Sequence, residues 1–191
     1  MDKSLKILVV DVETTSTNPQ RAHILEVGLV SVDLSTGQVD TLVDTLVCPE
    51  CDEAEWLGCW FMSNSKVDPE LVRCAPNFAS LRPTIQEQLL ALPVTAFNRS
   101  YDVQVLFRYQ VQVPKRASCL MLACKDILCL PGHYGDYKYP KFSEAWGYFF
   151  PDQPFEDKHR AGHDSIHEAK LAVELYRRGL LEVNDAYQVP R

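Results

Sequence analysis

The chain has 191 residues, 46% of them hydrophobic, and a formal net charge of −7 at pH 7. That length can bury one full core, so the expectation is a single domain over residues 1–191. The acidic balance argues against a protein that coats duplex nucleic acid electrostatically, and no run of ~18 apolar residues is present to span a membrane. Residues 1–6 lead into an aliphatic run too short for a signal peptide, so the chain is expected to stay in the cytoplasm. The charge is uneven: residues 1–95 carry 14 acidic and 6 basic side chains, net −8, whereas residues 96–191 carry 12 and 13, net +1. An acidic half can hold cations, and a locally basic half can hold phosphates.

The first predicted element is the strand Ile7-Leu8-Val9-Val10, which runs into Asp11-Val12-Glu13-Thr14-Thr15. β-Branched aliphatics in a row suit a strand covered on both faces, and carboxylates are tolerated at its end only where their charge is offset. Positions i and i+2 of a strand share a face, so Asp11 and Glu13 aim at one spot. Two like charges at one spot call for a cation, and hard oxygen ligands suit Mg²⁺ or Mn²⁺ better than zinc. A pair of strand-end acids facing water is the plainer alternative for so short a string.

Residues 16–22 read as a polar loop with the turn signal Asn18-Pro19. Residues 23–33 and 39–47 follow as strands, joined by a hairpin turn over Ser35-Thr36-Gly37-Gln38, so the first three strands form an antiparallel meander. Residues 48–68 look like a long irregular connection carrying Trp56, Trp60, Phe61 and Met62, and a loop of that length is usually functional or mobile. Asp68-Pro69 reads as a helix cap with proline at the first helical position. A helix is predicted over residues 77–92 from Phe78, Leu81, Ile85, Leu89 and Leu92, with Pro83 inside it. Residues 93–97 are a short buried strand, and Asn98-Arg-Ser-Tyr-Asp102 leads into a helix. Residues 117–130 are apolar and fit a strand followed by a helical turn, which periodicity does not settle. The loop at 130–141 interleaves Tyr134, Tyr137 and Tyr139 with Lys138 and Lys141, a composition that can stack bases and meet phosphates. A short helix at 142–149 and a last helix at about 161–178 complete the chain.

Seven cysteines in a chain read as cytoplasmic are expected to be reduced. Cys48-Pro-Glu-Cys51 has ligand-like spacing, but no second tight pair follows to close a zinc site. Cys119, Cys124 and Cys129 sit among aliphatics and are expected to be small buried hydrophobes.

Two further acids stand near helix starts, Asp102 and Asp164, and each could simply stabilise a helix dipole. Around Asp164, however, His159-Arg160-Ala161-Gly162-His163-Asp164 is an H-x-A-x-x-D string, its small residues permitting close approach to a neighbouring strand. Together with Asp11-x-Glu13-Thr14-Thr15 and Asn98-x-x-Tyr101-Asp102, in this order, the string resembles the DEDDh branch of the DnaQ-like 3'-5' exonucleases over nearly the whole chain.

The resemblance implies an α/β, ribonuclease H-like fold with a mixed five-stranded sheet flanked by helices. It implies that Asp11, Glu13, Asp102 and Asp164 hold two divalent ions, Mg²⁺ or Mn²⁺, and that His159 is the general base. Thr14 and Thr15 would then contact the 3'-terminal nucleotide, with Asn98 beside them or capping a helix, and Tyr137 and Lys138 are added here as candidate substrate contacts from the loop. His163 and His167 compete with His159 for the base but are assigned to structure or surface. The chain departs from relatives at Ser65-Lys66-Val67-Asp68, which leaves the contacts of the preceding loop open. The activity implied is release of nucleoside 5'-monophosphates from the 3' end of single-stranded DNA or RNA. The rival readings are an endonuclease of the same fold and a non-catalytic or polymerase-associated nucleic-acid-binding module. A polymerase or a second copy of the chain remains open as a partner.

Overall fold

Hydrophobic patterning and tight turns lay down the first three strands of a central sheet, β1 (Lys6–Thr14), β2 (Ile24–Asp33) and β3 (Val39–Leu46), as an antiparallel meander. The structure, a computed structural model, describes residues 5–133, 135–156 and 158–184. The β2–β3 turn is closed by the Asp33 carboxylate, which accepts from the backbone N–H groups of Ser35 at 2.9 Å and Thr36 at 3.3 Å. Two short parallel strands, β4 (Val94–Thr95) and β5 (Arg116–Ala117), extend the sheet beyond β1. The expected mixed five-stranded sheet is therefore present, and a two-residue antiparallel strand β6 (Val183–Asn184) lengthens its edge, in the order β3-β2-β1-β4-β5-β6. β4 pairs only with Leu8 and Val9, so the outer half of β1 runs past it and leaves room for side chains to approach from that side.

Residues 48–68 are not irregular, as the sequence suggested. They fold into two one-turn helices, α1 (Glu53–Leu57) and α2 (Trp60–Asn64). The reason is local burial: Trp56, Cys59, Phe61, Val67 and Val72 close over Leu25 of β2 as a small core of their own. Asp68 caps α3 (Pro69–Arg73), accepting from the Glu70 N–H at 2.9 Å. Asn77 caps α4 (Phe78–Ala91), which contains Pro83. After β4 comes α5 (Arg99–Arg108), and after β5 comes α6 (Leu120–Leu128), which settles the apolar stretch as strand then helix. Cys119 and Cys124 are buried as expected, whereas Cys129 is exposed because it ends α6 in the left-handed conformation, φ 48°. The last two helices are α7 (Phe142–Phe149) and α8 (Ala161–Arg177).

The alternation of β1 divides the core. Leu8, Val10 and Val12 pack on one face with Ile85 and Leu89 of α4 and Val105 and Leu106 of α5. Ile7 and Val9 face the other side, against Leu120 of α6, Phe149 of α7 and Leu171, Ala172 and Leu175 of α8. Asp11 and Glu13 continue the second series and so face α8. The start of α8 crosses β2 and β3 at backbone contact. A Cβ on Gly28 would lie 2.1 Å from the Ala161 carbonyl oxygen, and a Cβ on Gly162 would lie 2.2 Å from Cγ of Asp44. The small residues of the H-x-A-x-x-D string thus meet a strand, as their size suggested, and the strand answers with its own glycine. Gly28→Ala should force this contact apart and destabilise the protein by about 1–3 kcal/mol. Urea unfolding checks this, and an unchanged midpoint would contradict the close approach.

Candidate active site

Asp11 and Glu13 at the tip of β1 meet Asp164 in the first turn of α8, and the carboxylate oxygens of the three lie within 4.8 Å of one another. What brings α8 there is Glu26 on β2, fully buried and directly across from Glu13. The Arg160 guanidinium clasps Glu26 with Nε at 2.9 Å from Oε1 and Nη2 at 2.7 Å from the same oxygen. The backbone N–H of Ala161 donates to Glu26 Oε2 at 3.1 Å, so a strand carboxylate caps the helix that carries Asp164. Asp164 in turn accepts from the Arg160 N–H at 3.1 Å, which fixes its side chain at the helix start.

Asp102 approaches from α5 through the gap left beyond β4. Its Oδ1 accepts from the Val12 N–H at 3.2 Å, a strand N–H that β4 is too short to pair. The carboxylate is buried, and that burial raises its pKa from 3.8 to about 7, against the lowering effect of the Val12 N–H and of its own backbone. The structure adds an acid that sequence reasoning missed. Glu168, one turn beyond Asp164, is buried and accepts from the Phe97 N–H at 2.9 Å. Burial, then Asp102, then Asp164 push its carboxyl well above the usual carboxylate range. Asp11 is displaced the same way, by desolvation first and then by Glu168, Glu13, Asp102 and Asp164. The signal for Glu168 was available: it lies seven residues after Ala161 on the packing face of a helix, where an unpaired acid has no structural use.

A cleft of about 560 Å³ opens beside these acids. Its walls include Glu13, Thr14, Thr15, Trp60, Asn98 and Tyr101. Thr14 Oγ1 bonds to the Ser16 carbonyl at 3.0 Å and to the Tyr101 hydroxyl, while Thr15 Oγ1 accepts from the His23 N–H at 3.0 Å. Asn98 occupies the N-cap position of α5 without a capping hydrogen bond from its side chain. Trp60 stands 58% exposed at the cleft, and the His159 ring meets it edge-on, centroids 4.5 Å apart. His159 is held in the left-handed region, φ 48°, immediately before the Arg160 clamp.

The remaining candidates fall elsewhere. His163 Nδ1 lies 2.9 Å from Asp164 Oδ1, in contact with the acidic cluster rather than turned away from it, and its ring stacks on His167. His167 packs on Trp146 and Phe155, and burial lowers its pKa. Tyr137 and Lys138 are not among the residues that line the cleft; Lys138 Nζ bonds to Glu144 Oε1 at 2.5 Å, and Tyr137 bridges to Pro131 within its own loop. Tyr134 lies outside the described residues. Arg160 is occupied by Glu26, and Arg108 donates to the Ala22 carbonyl at 2.6 Å.

The donor set is made of carboxylates, which fits a hard divalent cation and not zinc. Buried acids held above their usual pKa by one another are the electrostatic counterpart of that fit, because a cation would relieve the repulsion. An acidic cluster at the tip of a central strand, completed from α5 and α8 on a mixed sheet, is the arrangement of the ribonuclease H-like fold that the sequence resemblance implied. The chain belongs to the RNase_T family, whose model, described as "Exonuclease", matches residues 8–176. Among solved structures, the nuclease domain of 3'hExo, a DEDDh family member bound to rAMP, superposes with a TM-score of 0.69 at 15% identity, covering 97% of this chain and 99% of that one. A 3'-exonuclease in a structure of 3'-end recognition of a histone mRNA stem-loop gives 0.69 at 16% identity, covering 99% and 89%. E. coli Exonuclease I with a dT13 oligonucleotide gives 0.67 at 16%, covering 91% of this chain and 41% of that enzyme. No curated protein matches the chain at a significant level. Among the described residues, no helix is long and apolar enough to cross a membrane.

These pKa shifts set a pH dependence. Below 3.8 Asp102 is protonated whether the chain is folded or not, and above about 7 it is ionised in both states with the folded one bearing the full penalty. Stability of the metal-free protein should therefore fall as pH rises across that window, and Mg²⁺ or Mn²⁺ should flatten the fall. Melting temperatures measured against pH with and without metal check this; a metal-free protein that grows more stable across the window contradicts it.

Proposed function

We propose that the protein is a divalent-metal-dependent 3'-5' exonuclease, acting as one exonuclease domain, that releases nucleoside 5'-monophosphates from single-stranded nucleic acid. The observation that carries this reading is the convergence of Asp11, Glu13 and Asp164 beside the open cleft, with Asp102 and Glu168 behind them. Asp11, Glu13, Asp102 and Asp164 are the residues proposed to hold two Mg²⁺ or Mn²⁺ ions. Bound there, such ions supply charge neutralisation on the attacking and leaving oxygens of a phosphodiester.

The chain's own groups do the rest. His159 takes the proton of the attacking water on an imidazole nitrogen, acting as the general base. Its edge-on contact with Trp60, which lines the cleft, supports that role. Thr14 and Thr15 hold the terminal nucleotide where the chain leaves β1, and Asn98 forms the facing wall. Trp60 offers its exposed ring to the terminal base, an interaction of about 1–3 kcal/mol whatever the base. Structures of relatives carry rAMP and dT13, so the fold accepts both a ribonucleotide and a DNA strand.

Asp11→Asn or Asp164→Asn should abolish turnover with the circular dichroism spectrum unchanged. His159→Ala should slow it by about two to four orders of magnitude, as loss of a general base does. The assay is digestion of 5'-labelled single-stranded DNA and RNA of matched sequence with Mg²⁺ or Mn²⁺. Mononucleotide release from the 3' end supports the reading, whereas internal cuts, or wild-type rates in either Asn variant, overturn it. A loss confined to His163→Ala would move the base to that residue.

A further inference from the structure

Apart from the acids at the tip of β1, three side chains from separate segments converge. His23 ends the loop before β2, Cys51 follows β3, and Glu55 lies in α1. They offer a nitrogen, a sulfur and an oxygen whose ligating atoms all lie within 4.8 Å of one another. We propose that His23, Cys51 and Glu55 form a second metal centre, separate from the carboxylate cleft, that takes Zn²⁺ as a structural ion.

The donor chemistry selects the metal. Imidazole and thiolate suit Zn²⁺, which takes four ligands in a tetrahedron, whereas Mg²⁺ and Mn²⁺ prefer the oxygen cluster at the tip of β1. Three donors are in place, and a water can take the fourth position of the tetrahedron. Among the described residues, no hydrogen bond engages the His23 ring, the Cys51 thiol or the Glu55 carboxylate, so their lone pairs are not committed elsewhere. The surroundings are electrically suited to a cation. Asp52 sits beside Cys51 in the chain and Glu55 is itself one of the three donors, so negative charge that a divalent ion would offset is already present. A cleft of about 280 Å³ adjoins the site at His23, its other walls including Glu50, Arg82, Arg108 and Tyr109.

Cysteine spacing alone did not reveal this site, because Cys48-Pro-Glu-Cys51 lacks a second pair in sequence. The missing ligands are a histidine 28 positions before Cys51 and a glutamate on the next helix. An ion here would pin two parts of the cleft wall. The His23 N–H donates to Thr15 Oγ1 and the Thr15 N–H donates to the His23 carbonyl at 2.9 Å, while Glu55 belongs to the segment that carries Trp60.

The test uses the full chain, stripped of metal, titrated with Co²⁺ in excess Mg²⁺ so that the oxygen cluster is already supplied. One equivalent of Co²⁺ should produce a thiolate-to-Co²⁺ charge-transfer band that one equivalent of Zn²⁺ removes. The band should be lost in Cys51→Ser and retained in Asp11→Asn. Zn²⁺ should raise the melting temperature of wild type and Asp11→Asn but not of His23→Gln. Should Cys51→Ser fail to fold, His23→Gln and the exposed Glu55→Gln carry the same comparison, with loss of the band expected in each. No band in wild type, a band that survives removal of these side chains, or a band lost in Asp11→Asn overturns the proposal. Failure here leaves the nuclease reading untouched, since that rests on the acids and on mononucleotide release.

Discussion

The buried carboxylate of Glu26 is the constraint on which the site depends. A fully buried anion in a central strand is costly unless paired and hydrogen-bonded, and here both conditions are met by one short segment, the Arg160 guanidinium and the Ala161 N–H. Satisfying Glu26 therefore locates the first turn of α8 to within a hydrogen bond. The glycines make that location sterically available, since a Cβ on Gly28 of β2 would strike the α8 backbone and a Cβ on Gly162 of α8 would strike the Asp44 side chain of β3. Asp164 is placed opposite Asp11 and Glu13 as a consequence, and the His159 ring beside Trp60 as another, because His159 is the residue before the clamp.

Arg160 also explains why the cluster stays negative. Its guanidinium lies in the segment that leads to Asp164, yet it is committed to Glu26. The acids are left to repel one another, and the protein resolves this only partly, by giving Asp102 the Val12 N–H and Glu168 the Phe97 N–H. Those two N–H groups come from strand and loop backbone just where the short β4 stops pairing with β1. The truncation of β4 thus supplies both the opening and the donors that keep two carboxylates buried inside it.

Much of this was legible in the sequence, and the parts that were not share a cause. The β1 run, the meander and the shared face of Asp11 and Glu13 follow from local patterns of alternation and turn chemistry, whereas Asp164 joined them only through the family resemblance. The paired role of Glu26, the buried Glu168 and the approach of His23 to Cys51 are contacts between segments far apart in sequence, which no local pattern encodes. Residues 48–68 misled for a related reason. Their acids and lack of periodicity read as loop, but Trp56 and Phe61 had a partner surface on β2 at Leu25, and burial there outweighed weak helix propensity. The Tyr137 and Lys138 pair shows the converse, a loop whose charge looked free in sequence and is bonded to Glu144 in the next helix.

The same small core decides how rigid the cleft is. Trp60 is exposed, but its neighbours Cys59 and Phe61 are buried with Trp56 and Val72, so the ring projects from an anchored helix and not from a mobile loop. An aromatic platform held this way loses little freedom when a base stacks on it, which favours binding without a demand for any particular base. The opposite wall is held by Tyr101, whose hydroxyl bonds the Ser16 carbonyl and Thr14. Both walls thereby trace back to β1 and β2, the two strands that also carry Asp11, Glu13 and Glu26. A disturbance of the β1–β2 register would displace the acids, the helix clamp and the cleft together.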